Sequence, residues 1–120
     1  MNILFIGDIV GSPGREAVKK LLPELKKEHR LGFVVANAEN SAGGSGITRR
    51  IADELFDCGV DALTSGDHIW KKKDIFEFID KDPRILRPAN FPAGAPGCGY
   101  GLFTPLETEH RRCPMAAYGS

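Results

Sequence analysis

The sequence predicts an α/β domain: a mostly parallel sheet flanked by helices. Three observations carry that expectation. Short apolar runs alternate with segments of helical periodicity. Each run ends in a small, polar cluster. The chain has 120 residues, enough for one modest domain.

The first run, Ile3 to Ile6, is nearly continuous and ends at Gly7-Asp8, as suits a buried parallel strand. Ser12 offers an N-cap and Pro13 a first helical position. Val18, Leu21, Leu22 and Leu25 then recur at helical spacing from Arg15 to His29, and Pro23 predicts a kink or break. Gly32 precedes a second strand, Phe33 to Ala36. A glycine-rich loop leads to a second helix from about Thr48 to Cys58, with Ile51, Ala52, Leu55 and Phe56 inward and Gly59 as its stop. Val60 to Thr64 reads as a third strand, followed by the polar cluster SGDH. Ile75, Phe76 and Ile79 mark a third helix closing near Pro83, and Ile85-Leu86 a short fourth strand. Strand–helix alternation implies right-handed crossovers and parallel pairing. From Pro88 the stretch PANFPAGAPGCGYG reads as loop. The expected division is a domain over 1–103 and an irregular or disordered tail over 104–120.

Composition narrows the function. Apolar residues make up 42% and charged residues 27%, as in ordinary globular chains. Sixteen basic and sixteen acidic residues cancel, leaving no field for long nucleic acid or an anionic membrane. No apolar run approaches the roughly 18 residues of a membrane span. The N-terminus lacks a basic leader and reads as a strand. Cys58, Cys98 and Cys113 form no CxxC pair, so neither a disulfide framework nor a zinc site is indicated, and a reducing, cytoplasmic compartment is the simplest expectation.

In open α/β sheets, ligands bind beyond the carboxyl ends of the strands. Parallel pairing would bring three clusters to one edge: Gly7-Asp8, Asn37 to Asn40, and Gly66-Asp67-His68. Asp8, Glu39, Asn40, Asp67 and His68 would then converge. Such oxygen donors suit Mn²⁺, Mg²⁺ or Fe²⁺, and one carboxylate can bridge two ions about 3.5–4 Å apart. Glu39, on the middle cluster, is the natural bridge. Gly43, Gly44 and Gly46 would let backbone approach a metal or phosphate. His68 would act as general acid.

Plainer readings stand beside these. Asp8 also suits a turn, Asn37 and Asn40 ordinary turn positions, Asp67 a cap, His68 a structural or surface histidine, and the glycines a flexible loop. His29 suits a helix C-terminus, Lys71 to Lys73 a solvated face, Trp70 a core or rim position, and Cys58 a buried helical position.

The segments MNILFIGDIVGSPGR, ANAENSAGGSGIT and TSGDHIW, in that order, resemble the N-terminal half of the YmdB-like bacterial metallophosphoesterases, from Met1 to about Gly101. These are 2',3'-cyclic-nucleotide 2'-phosphodiesterases of the calcineurin-like superfamily. The resemblance implies a shortened form of a four-layered α/β/β/α sandwich with a two-metal centre of iron or manganese. It further implies a homo-oligomer and hydrolysis of a small phosphodiester or cyclic nucleotide. Asp8 would bind one metal, Glu39 would bridge, Asn40 would support the first, Asp67 would bind the second, and His68 would donate the proton. Gly43 and Gly44 would face the substrate. A non-catalytic metal- or nucleotide-binding remnant and an oligomerisation module are the competing expectations.

Two departures bear on this. Asp67 stands where the family motif has asparagine, adding a negative charge expected to weaken the metals as Lewis acids. The family also draws further histidine ligands from a C-terminal half, whereas the other histidines here are His29 and His110. Exposed apolar surface is expected where a second sheet would pack.

Overall fold

The computed structural model describes residues 1–105 and the strand at 115–118. Four parallel strands form one sheet in the order β1-β2-β3-β4: β1 Asn2–Ile6, β2 Leu31–Asn37, β3 Ala62–Thr64 and β4 Ile85–Leu86. The register pairs Phe5 with Val35, Val35 with Ala62, and Leu63 with Ile85. All four strands therefore point the same way, and the segments after Ile6, Asn37 and Thr64 emerge at one edge.

Helices α1 (Gly11–Glu28) and α2 (Arg49–Asp57) supply the crossovers. Val18 and Leu22 of α1 and Ile51, Ala52 and Leu55 of α2 pack with Val34, Ala36 and Leu63 of the sheet in one buried cluster. Burial of each large aliphatic side chain contributes roughly 1.5–3 kcal/mol. The opposite face is thinner: Phe33, Val35 and Ala62 pack against Phe103, whose ring centroid lies 5.2 Å from that of Phe33.

Several sequence expectations are corrected in detail. Ser12 does not cap α1. The helix begins two residues earlier, after Val10, where Gly11 donates to the Asn40 carbonyl at 3.0 Å and Gly14 to that of Val10 at 3.2 Å. Pro23 breaks nothing. It sits on the exposed side of a continuous α1, where water can serve the Lys19 carbonyl that loses its N–H partner. Thr48 does cap α2, accepting from the Ile51 amide at 3.3 Å, and Gly59 follows the C-cap with φ +114°. The cap residue itself, Cys58, is only partly buried.

A short 3₁₀ helix, Asp67–Lys71, was not anticipated, and α3 (Ile75–Phe78) is a single turn. Trp70 lies at the rim, stacked on Phe76 at 5.1 Å, and Lys71 to Lys73 are exposed as expected.

The loop from Pro88 ends in β5 (Tyr100–Phe103), which pairs antiparallel with β6 (Met115–Tyr118). The expectation of an irregular tail therefore fails at 115–118, because cross-strand pairing creates a strand that no local period announces. The remainder of that expectation, over 106–114 and 119–120, lies outside the described residues. Apolar side chains are exposed along the thin face and the hairpin, with Phe5 61% and Leu102 73% accessible.

Candidate metal centre

The site is assembled from two chain reversals at the carboxyl edge. After β2, the Ala38 amide donates to the Thr64 carbonyl at 3.0 Å, tying the second cluster to the end of β3. Buried Ser41 donates its hydroxyl to the Ala38 carbonyl at 2.7 Å, and Arg15 Nη1 donates to the Ser41 carbonyl at 2.6 Å. The turn bearing Glu39 and Asn40 is thus fastened to β3 on one side and to α1 on the other. The glycines that follow take left-handed backbone: φ is +65° at Gly43, +93° at Gly44 and +88° at Gly46. Gly46 donates its amide to the Glu39 carbonyl, closing the loop upon the acidic residue.

After β3, Ser65 is buried and donates its hydroxyl to the Leu86 carbonyl at 2.7 Å. The chain then turns through Gly66 into the 3₁₀ helix, presenting Asp67 and His68. One ligand atom from each of Glu39, Asp67 and His68 lies within 4.8 Å of the other two, a spacing that a cation can bridge. Glu39 Oε2 is 3.9 Å from His68 Nδ1 and accepts from the His68 amide at 3.2 Å. His68 Nε2 is 3.9 Å from Asp67 Oδ2. The Glu39 side chain is largely covered, at 18% exposure, whereas that of Asp67 stands at 86%.

Asp8 joins this group through an intermediary. Asn40 Nδ2 donates to Asp8 Oδ1 at 2.8 Å, and Asn40 Oδ1 lies 2.6 Å from His68 Nδ1. That pairing assigns the proton to Nδ1 and leaves Nε2 directed elsewhere. Asn40, expected as a metal ligand, occupies the site as a hydrogen-bonded link between Asp8 and His68.

Asn37 and Gly66 belong to the expected clusters but were assigned no role at the site. Asn37, weighed mainly as a turn residue, does make the turn, with Oδ1 accepting from the Glu39 amide at 3.4 Å. Its Nδ2 also reaches Glu39 Oε1 at 3.5 Å. Gly66 lies directly against the Glu39 carboxylate. The signal for Asn37 was its place two residues before an acid, but no local pattern marks Gly66 as a neighbour of residue 39.

Carboxylates and an imidazole form a hard-to-borderline donor set, which fits Mn²⁺, Fe²⁺ or Mg²⁺. The described cysteines, Cys58 and Cys98, are free and outside this cluster. A separate open cleft lies behind the glycine loop, lined by Ser12, Arg15, Gly43, Thr48, Arg49 and Lys72, so Gly43 borders it.

The sequence profile of the YmdB-like protein family matches residues 4–114. The chain belongs to that family. The family match runs past residue 103, into the segment expected to fall outside it. A 2',3'-cyclic-nucleotide 2'-phosphodiesterase of Bacillus subtilis is 54% identical over 99 residues, covering 82% of this chain and 38% of that protein. Two crystal structures share the fold. A hypothetical protein from Thermus thermophilus gives a TM-score of 0.82 at 36% identity, covering 95% of this chain and 43% of the other. A novel phosphatase from Mycoplasma pneumoniae gives 0.78 at 30% identity, covering 84% and 37%. The chain thus spans about two fifths of the length of the relatives it matches. The YmdB-like relatives are named as phosphoesterases, and in this chain the Glu39–Asp67–His68 group stands at the carboxyl edge of the four-stranded sheet. Among the described residues, no helix is long and apolar enough to cross a membrane.

Proposed function

We propose that this chain carries the metal-holding edge of a two-metal phosphodiesterase acting on 2',3'-cyclic nucleotides or related small phosphodiesters. The observation that supports the reading best is the gathering of Glu39, Asp67 and His68 at the ends of two parallel strands, with Asp8 linked through Asn40. The substrate class comes from the name of the Bacillus subtilis relative.

In this reading Glu39 would be shared between two ions, Asp8 would hold one and Asp67 the other, and iron or manganese would be preferred over magnesium. Divalent ions held there supply Lewis acidity toward a phosphoryl oxygen and lower the pKa of water. The chain's own groups do the rest. Asn40 accepts from His68 Nδ1–H, so the doubly protonated imidazolium would give its Nε2 proton to the departing oxygen and remain as the neutral Nδ1–H ring. Asn37 and the His68 amide steady Glu39. Gly43 and Gly44 leave open space where side chains would stand, giving a phosphate group access to the loop. The assembly expected with this function is a cytoplasmic homo-oligomer.

The competing reading, a metal-binding but non-catalytic remnant, is favoured by one feature: the extra charge of exposed Asp67 beside His68. Manganese titration by calorimetry, paired with turnover of a 2',3'-cyclic nucleotide, separates the two. Metal-dependent turnover abolished by Glu39→Gln is the expected result. Tight manganese binding without turnover supports the remnant, and no binding overturns the metal-centre reading.

A further inference from the structure

We propose that Gly66 is a positioning residue whose missing side chain is the space occupied by the Glu39 carboxylate. A Cβ added at Gly66 would lie 2.6 Å from Glu39 Oε2 and 2.7 Å from Cδ, and closer still to Oε1. These carboxyl atoms are the three nearest neighbours of that position. A left-handed backbone is not the reason for glycine here. Gly66 has φ −124° and ψ −149°, outside the left-handed region that disfavours side chains.

The other glycines of the site differ. Gly43 and Gly44 have positive φ and open space, so their requirement is conformational. At Gly66 the requirement is room for one carboxylate. That carboxylate is held from the remaining sides by the His68 amide at 3.2 Å and Asn37 Nδ2 at 3.5 Å. Gly66 completes the seat.

Alanine at this position would force Oε2 back by about 0.8 Å to reach the 3.4 Å of ordinary contact. Metal–ligand distances tolerate only about 0.2 Å. The displaced atoms belong to the end of a flexible side chain and not to backbone, so the fold survives while the seat is lost. The inference rests on the metal-centre reading for its affinity consequence and on the Gly66–Glu39 contact for its geometric one.

The test compares the parent chain with Gly66→Ala, using Gly94→Ala as a control, because nothing lies within 4 Å of a Cβ at Gly94. In EDTA, the expected melting temperature of Gly66→Ala stays within about 3 °C of the parent, less than the loss of 1 kcal/mol would shift it. Metal-free amide exchange at His68 becomes faster, since its acceptor on Glu39 has moved. Manganese affinity by calorimetry falls about 10–100-fold, the usual effect of disturbing a ligand's support. Unchanged His68 exchange in Gly66→Ala overturns the proposal, as does unchanged manganese affinity in a parent that binds the metal. A Gly66→Ala chain that fails to fold also overturns it, because the conflict would then lie with backbone. A parent that binds no manganese instead removes the metal-centre reading, and the His68 amide still decides the role of Gly66.

Discussion

Asp82 offers the most quantitative test of what holds the domain together. Its side chain is 8% exposed and accepts five hydrogen bonds. Arg49 Nη1 and Nη2 donate at 3.2 and 3.1 Å, Arg84 Nε and Nη2 at 2.9 and 2.8 Å, and the Arg84 amide at 3.1 Å. Arg49 opens α2 and its amide donates to Asp74, while Arg84 leads into β4 and lies 3.8 Å over the Phe56 ring. Asp82 therefore staples α2 to the segment entering the last sheet strand. Breaking a buried ion pair costs about 3–5 kcal/mol, whereas exposed pairs yield about 0.2–1 kcal/mol. The arginine side chains are 33% and 46% exposed, so solvent screens part of the loss. Asp82→Ala should accordingly cost about 2 kcal/mol, or about 8 °C in melting temperature for a domain of this size.

The pH dependence has a definite sign. Burial works against ionisation of Asp82, but its hydrogen bonds from Arg84 and Arg49 and the Arg84 charge prevail and hold its pKa below the ordinary carboxylate value. A depressed folded pKa contributes stability that is complete above the unfolded value, about 3.9, and is lost as pH falls through the folded pKa. Urea unfolding of the parent and Asp82→Asn should therefore separate at pH 7 and converge as the pH falls below the unfolded carboxylate value of about 3.9 and on through the lower folded one. A loss under about 0.5 kcal/mol for Asp82→Ala, or a parent–Asn gap that persists unchanged in acid, would refute the stapling argument.

Two further outcomes are expected. Asp67→Asn removes a charge 3.9 Å from His68 Nε2. In a water-like surrounding that charge is worth about 1 kcal/mol, so phosphodiester turnover should rise roughly fivefold while metal affinity falls; equal or slower turnover contradicts this. Burial pushes the Cys58 thiol up, and its Sγ donates to the Leu55 carbonyl at 3.1 Å. Iodoacetamide at pH 8, followed by peptide mass spectrometry, should label exposed Cys98 well before Cys58, with Cys58 catching up only as pH rises past the ordinary thiol range. Equal rates at pH 8 would show that the Cys58 environment opens freely.

Much of this molecule is written in local pattern. The apolar runs at Ile3–Ile6 and Phe33–Ala36, the helical spacing of Ile51, Ala52 and Leu55, and the Thr48 cap are properties of neighbouring residues, and each led directly to an observed element. Parallel pairing followed from their alternation, and with it the gathering of Glu39, Asp67 and His68, because parallel strands deliver their carboxyl ends to one edge. Other features depend on partners distant in the chain, and no local pattern contains them. The start of α1 was decided by a hydrogen bond from Gly11 to Asn40. The β5–β6 hairpin arose from cross-strand pairing. Asn40 became a link between Asp8 and His68, residues 32 and 28 positions away from it. Gly66 acquired its meaning from a carboxylate on another strand's end. Periodicity determines which faces are buried, since it sets the direction of each side chain; only the packed sheet decides which polar atoms meet, since that depends on register and crossover paths that span the whole chain.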